Sequence, residues 1–497
     1  MRKLRGDLQQ LIHSLNPAET RYCLTQLKQV GTIHRPHLLH IFNALHKPDA
    51  DEEAVKARLL KANPGWDFAH YKKMLTQVVQ QSLVTYRSNT TAETRLHYML
   101  EVEKVMFGKN LFSQCSRLLA DARTLSAHYN YHLLELEILS RQGSQLAELF
   151  PDNFLEVMDE IAERRQQLCK LITCETDYRN LCLHIFLLNR KYHLCRTPEL
   201  KNELLQLLHH PLLSSKDKAL NFRSQRFYHN ALAMLYELMG KPEQVLPYML
   251  ENYNLWQQNP HQQHEKPAAY RASLGHLCST YITLNRFAEA KQILQTEQTI
   301  TVHGSTENAR WFREIKLKQL VLCLNTADFE AIPALLNEIK KGLQIYTVSH
   351  SYALSLIHNA AICCFVMEDY NEALRWLRRI NDYGVKGERQ DIRDFSPLFI
   401  LILWFCAGKH DLIEHNLRNA KRYYTKSNKL YAFESLITLC LPQLLTAPSA
   451  AAKQPIAQEF LKQIKHIDQQ LLGIPETTLW LQSLAKAQPM KLIIAKG

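Results

Sequence analysis

The chain has 497 residues, of which 46% are hydrophobic and 22% charged. Only 14 are glycine and 18 proline, about 2.8% and 3.6%, against averages of roughly 7% and 5%. That deficit excludes a turn-rich all-β chain, a collagen and a disordered chain, and it suits helices with short connections. The formal charge is +12 with a pI near 9.0, a moderate excess with 48 acidic residues interspersed. It permits attraction to nucleic acid or an anionic surface without requiring either. Length alone suggests about three domains of ~150 residues, unless the chain is a repeat array.

The N-terminal stretch MRKLRGDLQQLIHSLNPAE has charges but no apolar core and no small-residue cleavage site, unlike a secretory signal. The longest apolar run, LFILILWFCA at 398–407, is ten residues, too short to span a bilayer. The twelve cysteines form no C-x-x-C, and most lie in apolar helical runs such as NAAICCFVM, where they read as small buried hydrophobes. This usage fits a reducing compartment, and the chain is expected to be a soluble cytoplasmic protein.

Residues 1–90 read as a helical module. Asn16 caps a helix that Pro17 opens, with Glu19 completing a capping box and Gly31 ending it. A second helix starts at Pro36. The run DADEEAVKARLL places acids at a helix N-terminus, where the dipole favours them. Residues 71–87 form an amphipathic helix with Leu75, Val78, Val79 and Leu83 on one side. From 91 onward helices follow in pairs, and no alternating strand or hairpin signal appears.

A turn-and-helix pattern recurs: an aromatic, two residues, then a small or aliphatic residue opening the second helix of a pair. It appears as Phe287/Ala290, Phe329/Ile332 and Tyr370/Ala373, with weaker forms at Gly240/Val245 and Gly408/Ile413. The positions 245, 290, 332, 373 and 413 are spaced by 45, 42, 41 and 40 residues. An earlier copy has Phe112 and Cys115, and the 130 residues from there to Val245 leave room for three units of about 43. Such spacing marks an α-solenoid, in which stacked hairpins bury a core that no single pair can make. Residues 91–224 are expected to be degenerate hairpins and 225–445 the regular repeats. A linker at 444–455 then leads to a helical cap and tail at 446–497, whose end, MKLIIAKG, packs on the cap or binds something.

The residues Ala361, Tyr370, Ala373, Leu377 and Ile380 resemble the tetratricopeptide repeat signature. So do Leu277, Tyr281, Phe287, Ala290 and Leu294 in the preceding copy. The period near 41 exceeds the family's usual 34, so helices or loops must be longer. The chain also resembles a family of helical-repeat proteins from Bacteroidetes, through LIHSLNPAETRY, LLHIFNAL, YKKMLTQVVQQSL and GKNLFSQCSRLLADAR. The resemblance to tetratricopeptide arrays implies an all-α, right-handed superhelix with a concave partner-binding face. Carried onto this chain, that face would hold Asn230, Glu237, Ser279, Thr283, Asn325 and His358. The basic and amide set that clamps a C-terminal carboxylate in chaperone-binding members is absent.

Other chemistry finds little purchase. His34, His37 and His40, and His261 with His264, are spaced three apart, but no H-E-x-x-H or cysteine pair accompanies them. No nucleophile elbow, phosphate loop or dinucleotide fingerprint is present, and Cys174 with a histidine is a dyad only on paper. Residues 418–429 carry Arg418, Lys421, Arg422, Lys426 and Lys429 without an acid. Tyr423 and Tyr424 are available for base stacking unless they pack inward. The reading is a non-catalytic scaffold, without cofactor or metal, that binds a protein or peptide. The alternative is a regulatory protein that meets RNA or DNA through its basic segments.

Overall fold

The computed structural model describes residues 7–495 except 48, 49, 63, 64, 66, 89, 193, 196, 302, 303, 384–388, 427–430 and 468–470. Among the described residues the regular structure is helical, without a strand. The chain divides into two compact units, Met1–Cys174 and Glu175–Gly497.

The first unit begins with α1 (Asp7–His13), α2 (Pro17–Gln29), α3 (Arg35–Leu45), α4 (Glu52–Ala62) and α5 (Phe68–Arg87). Their core is Leu8, Ile12, Leu27, Phe42, Leu75 and Val79, all essentially buried. The capping box forms as the sequence implies. Asn16 Oδ1 accepts from the Ala18 and Glu19 amides at 2.9 Å, and Glu19 Oε2 accepts from the Asn16 amide at 3.0 Å. Next come α6 (Ala92–Phe107), α7 (Phe112–His128), α8 (His132–Leu149) and α9 (Phe154–Tyr192). The boundary between the units falls inside α9. Buried carboxylates tie the first unit's helices together: Arg164 grips Glu135 through Nε at 2.7 Å and Nη2 at 3.1 Å, and Glu103 accepts from Arg141 and Gln145 at 2.9 Å each.

The second unit continues through α10 (Pro198–Leu208) and two short 3-10 turns to α11 (Phe222–Leu238), α12 (Pro242–Gln258), α13 (Pro260–Glu265), α14 (Pro267–Thr283) and α15 (Phe287–Thr299). It goes on with α16 (Ser305–Asn325), α17 (Ile332–Ile345), α18 (His350–Val366), α19 (Tyr370–Arg378), α20 (Gln390–Cys406) and α21 (Ile413–Lys426). It closes with α22 (Ala432–Thr446), α23 (Ala450–Ile464), α24 (Ile474–Lys486) and α25 (Met490–Ile494). Sequence neighbours pack as hairpins: α11 on α12, α14 on α15, α16 on α17, α18 on α19 and α20 on α21. The first helices of successive pairs also touch, α14 on α16, α16 on α18 and α18 on α20.

One turn is repeated. Gly240, Asn285, Ala327, Glu368 and Gly408 all adopt a left-handed conformation, with φ of 68°, 57°, 57°, 64° and 69°. Each donates its amide three residues back, and the next amide reaches five residues back: Gly240 to Glu237 O and Lys241 to Tyr236 O, Asn285 to Ile282 O and Arg286 to Tyr281 O. This double bond satisfies carbonyls that the helix end orphans. Five residues after each left-handed position lies Val245, Ala290, Ile332, Ala373 or Ile413, every one of them buried. Asn110 and Cys115 stand in the same relation in the first unit. The small residue lets the helices approach: Cys278 Sγ lies 3.4 Å from Ala290 O. Phe287, Phe329 and Tyr370 are half-buried against the cores, beneath their turns.

The structure departs from the expected organisation in three places. Residues 116–244 are not three units of about 43. A second left-handed turn at Asn130, φ 58°, makes α7 a member of two hairpins, and α9 then runs for 39 residues. No glycine or proline lies between Pro151 and Pro198, so no breaker interrupts α9 before its end at Tyr192. The stretch 444–455 is not a linker: α22 reaches Thr446 and α23 starts at Ala450, and the two pack together. The third is His358, placed below. Of the tail, Met490 is buried in the same core as Trp480 and Leu481, and Lys496 and Gly497 lie outside the described residues.

Candidate functional site

A cavity of about 260 Å³ opens where the first helices of three successive hairpins meet. The helical period supplies its walls. Gly275, Ser279 and Ile282 form one stripe of α14, and Glu314, Lys318 and Val321 one stripe of α16. Tyr352 of α18 completes it.

Its floor is an ion pair. Lys318 Nζ donates to Glu297 of α15 at 2.7 and 2.9 Å, and the two residues are 8% and 0% exposed. Burial pushes the Glu297 carboxyl up, while Lys318 opposes that shift. Gly275 makes room for the contact, since a Cβ there would stand 2.6 Å from Lys318 Nζ. At one edge the Arg313 guanidinium lies 3.8 Å over the Tyr352 ring, and burial raises that phenol. The floor is therefore a fixed, neutral pair, and the rim carries exposed hydroxyls.

Of the residues expected on a concave face, this cavity brings together Ser279 and Thr283. Both are exposed, and each hydroxyl donates to a carbonyl one turn back at 3.0 Å. Asn325 is exposed on α16, one turn beyond Val321, and donates to Val321 O at 2.8 Å. Asn230 and Glu237 sit away from the cavity on α11: Asn230 accepts from Asn252 at 2.7 Å, and Glu237 from Asn189 of α9 at 3.0 Å. His358 is the correction. It is 1% exposed, wedged edge-on against Phe395 and Phe399 at 5.9 and 6.1 Å between ring centres. A side chain so enclosed contacts no partner. The carry-over missed His276, Glu314, Lys318 and Tyr352. Their signal was the helical stripe itself, read down α16.

The basic segment lies on α21. Arg418, Lys421, Arg422 and Lys426 are exposed, with Glu414 3.7 Å from Arg418. Lys429 lies outside the described residues. Only Tyr424 faces inward, fully buried and donating to Asp394 O; Tyr423 is 44% exposed and donates to Asp394 Oδ1 at 3.1 Å. His34 and His37 gather around the Tyr71 ring at 5.9 and 4.9 Å. Among the described residues no group of three or more histidine, cysteine or acidic side chains could hold a metal ion. Nor is any helix long and apolar enough to cross a membrane.

A larger cleft of about 650 Å³ lies in the first unit between α2, α5 and α6. Leu15, Leu83, Val84 and Tyr98 line it beside the buried Glu19, whose Oε1 accepts from Arg87 at 2.5 and 3.0 Å. No protein-family model matches this chain, and no curated protein matches it.

Proposed function

We propose that this chain is a non-catalytic protein-interaction scaffold of the bacterial cytoplasm. In this reading its hairpins wind as a right-handed, tetratricopeptide-like superhelix. A peptide or protein segment lies across the first helices of the pairs. The observation that carries the reading is the α14–α16–α18 cavity: exposed Ser279 and Thr283 hydroxyls around a floor whose charges already neutralise each other. Such a site offers hydrogen bonds and apolar contact without a reactive group, which suits a neutral extended segment.

The test places a photo-crosslinking amino acid at Thr283 and, separately, at the exposed Gln292 of α15. The Thr283 probe is expected to capture a discrete protein partner in native extracts and the Gln292 probe to miss it. Identical capture from both positions refutes the reading.

Nucleic-acid association through α21 is the second reading, supported by the exposed row Arg418, Lys421, Arg422 and Lys426. That row offers phosphate contacts, and beside it the exposed Tyr423 ring, but not the buried Tyr424 ring, is open to a base. Binding would then be indifferent to sequence and steeply salt-dependent. Changing Arg418, Lys421 and Arg422 to Glu should abolish it, and no binding at low salt removes this reading.

A further inference from the structure

The face of α11 that carries Asn230 and Glu237 also carries Arg223 and Arg226, at helical spacing. The second half of α9 lies opposite and meets it at seven-residue intervals. Glu175 of α9 accepts from Arg223 Nη1 at 3.1 Å, and fourteen residues on, at the other end, Asn189 donates to Glu237 at 3.0 Å. Between these two contacts α9 carries one further residue that interacts with Arg226. The residue is Cys182, 9% exposed, its thiol pushed up to about 12 by burial and hence neutral.

Arg226 is thereby left without an acceptor. It makes no hydrogen bond or ion pair among the described residues, and its Nε is buried and unmet. Its guanidinium is fixed instead by stacking, with Cζ 4.4 Å over the Trp256 ring and 5.7 Å from the Phe222 ring. Trp256 is itself fully buried and locked by its Nε1 donating to Ser273 at 2.9 Å. Burial lowers the pKa of Arg226 to about 10, so it still carries its charge at neutral pH. A half-buried guanidinium fork, held by stacking and lacking a counter-ion, is the arrangement that planar and tetrahedral oxyanions complete.

We propose that Arg226 is a binding site for an oxyanion, a carboxylate or phosphate group, received by its guanidinium where α9 presents Cys182 instead of an acid. Arg223, held by Glu175, stands one turn away and adds to the positive potential. The cation–π stack orients the fork before the ligand arrives, which reduces the ordering that binding requires.

The experiment follows thermal unfolding of the full chain at constant ionic strength while chloride is replaced by inorganic phosphate or by acetate. The wild-type protein should show a saturable rise in Tm with one of these, and which one distinguishes a phosphate from a carboxylate ligand. R226M keeps the stem over Trp256 and should lose the rise, and R226K should weaken apparent affinity by about tenfold or more because the fork is gone. C182D tests the same place without changing Arg226: an internal carboxylate should pair with the guanidinium and abolish the response. A wild-type Tm that follows neither anion overturns the proposal. So does a response that survives in R226M or in C182D.

Discussion

Acid should destabilise this protein through two histidines that the fold keeps neutral. His358 and His229 are 1% and 2% exposed, and neither ring nitrogen of either one has a hydrogen-bond partner. Burial, helped by the neighbouring Arg389 and opposed weakly by Asp391, holds His358 down to about 3. Burial and Lys216, opposed by Glu251, hold His229 to about 4. In the unfolded chain both return to about 6.5. The folded state thus binds fewer protons than the unfolded state between these limits. Stability is fully present above about pH 6.5 and falls as pH drops below it. At about pH 5 each histidine removes about 2 kcal/mol, at about 1.4 kcal/mol per pH unit below its unfolded pKa. In His358→Phe the new ring joins Phe395 and Phe399 and cannot titrate. Urea unfolding of wild type and variant at about pH 7.5 and about pH 5 isolates the one group, because every other titration is common to both. The variant should lose about 2 kcal/mol less than the wild type over that interval. Equal losses in the two proteins would show that His358 is not held neutral in the core, and the argument would fail.

The remaining predictions concern stability at neutral pH. Lys318→Met leaves the Glu297 carboxylate buried without its partner and should cost about 3–5 kcal/mol, whereas Lys318→Met with Glu297→Leu should recover most of it; parallel denaturation curves for the single and double variants would contradict this. A Cβ at Gly342 would stand 2.1 Å from the buried Phe312 ring, so Gly342→Ala should lower stability by about 1–3 kcal/mol, while Ala at Gly31, with nothing within 4 Å, should not lower it. Ala327 pays left-handed strain at a turn where two of the four equivalent residues are glycine and one is asparagine, so Ala327→Gly should raise the urea midpoint by about 1 kcal/mol equivalent, and Asn285→Gly should leave it nearly unchanged.

The parts of this fold that could be read from the chain are those whose cause is local. The repeated turn is settled within six residues: a left-handed position, an aromatic two residues on, and a small or aliphatic residue five residues on. Ala290, Ile332 and Ala373 were therefore found from spacing alone, and so was the capping box at Asn16. Features decided by distant partners were not found. The Lys318–Glu297 pair joins residues 21 apart, and the Arg223–Glu175 pair residues 48 apart, with no pattern that couples them in sequence. The repeat period also failed where it was extrapolated. Between 116 and 244 the regular spacing was assumed to continue, although the stretch without glycine or proline already argued for one long helix.

His358 shows why carrying a surface from one helical repeat to another needs a check of the helix as a whole. The transfer assumes that the first helix of a hairpin keeps one face in solvent. For α14 that holds, and Ser279 and Thr283 are exposed. In α18 every residue from Ala353 to His358 and from Ala360 to Val366 is buried. A helix that is apolar all round is an interior helix, and no position on it can be a recognition surface, whatever its register. The run ALSLIHNAAICCFV has no charged residue, so the burial of its histidine follows from the helix's composition rather than from its place in the repeat. By the same test α14 keeps a solvent-facing polar stripe at His276, Ser279 and Thr283, while α18 reaches the cavity only at its first turn, through Tyr352.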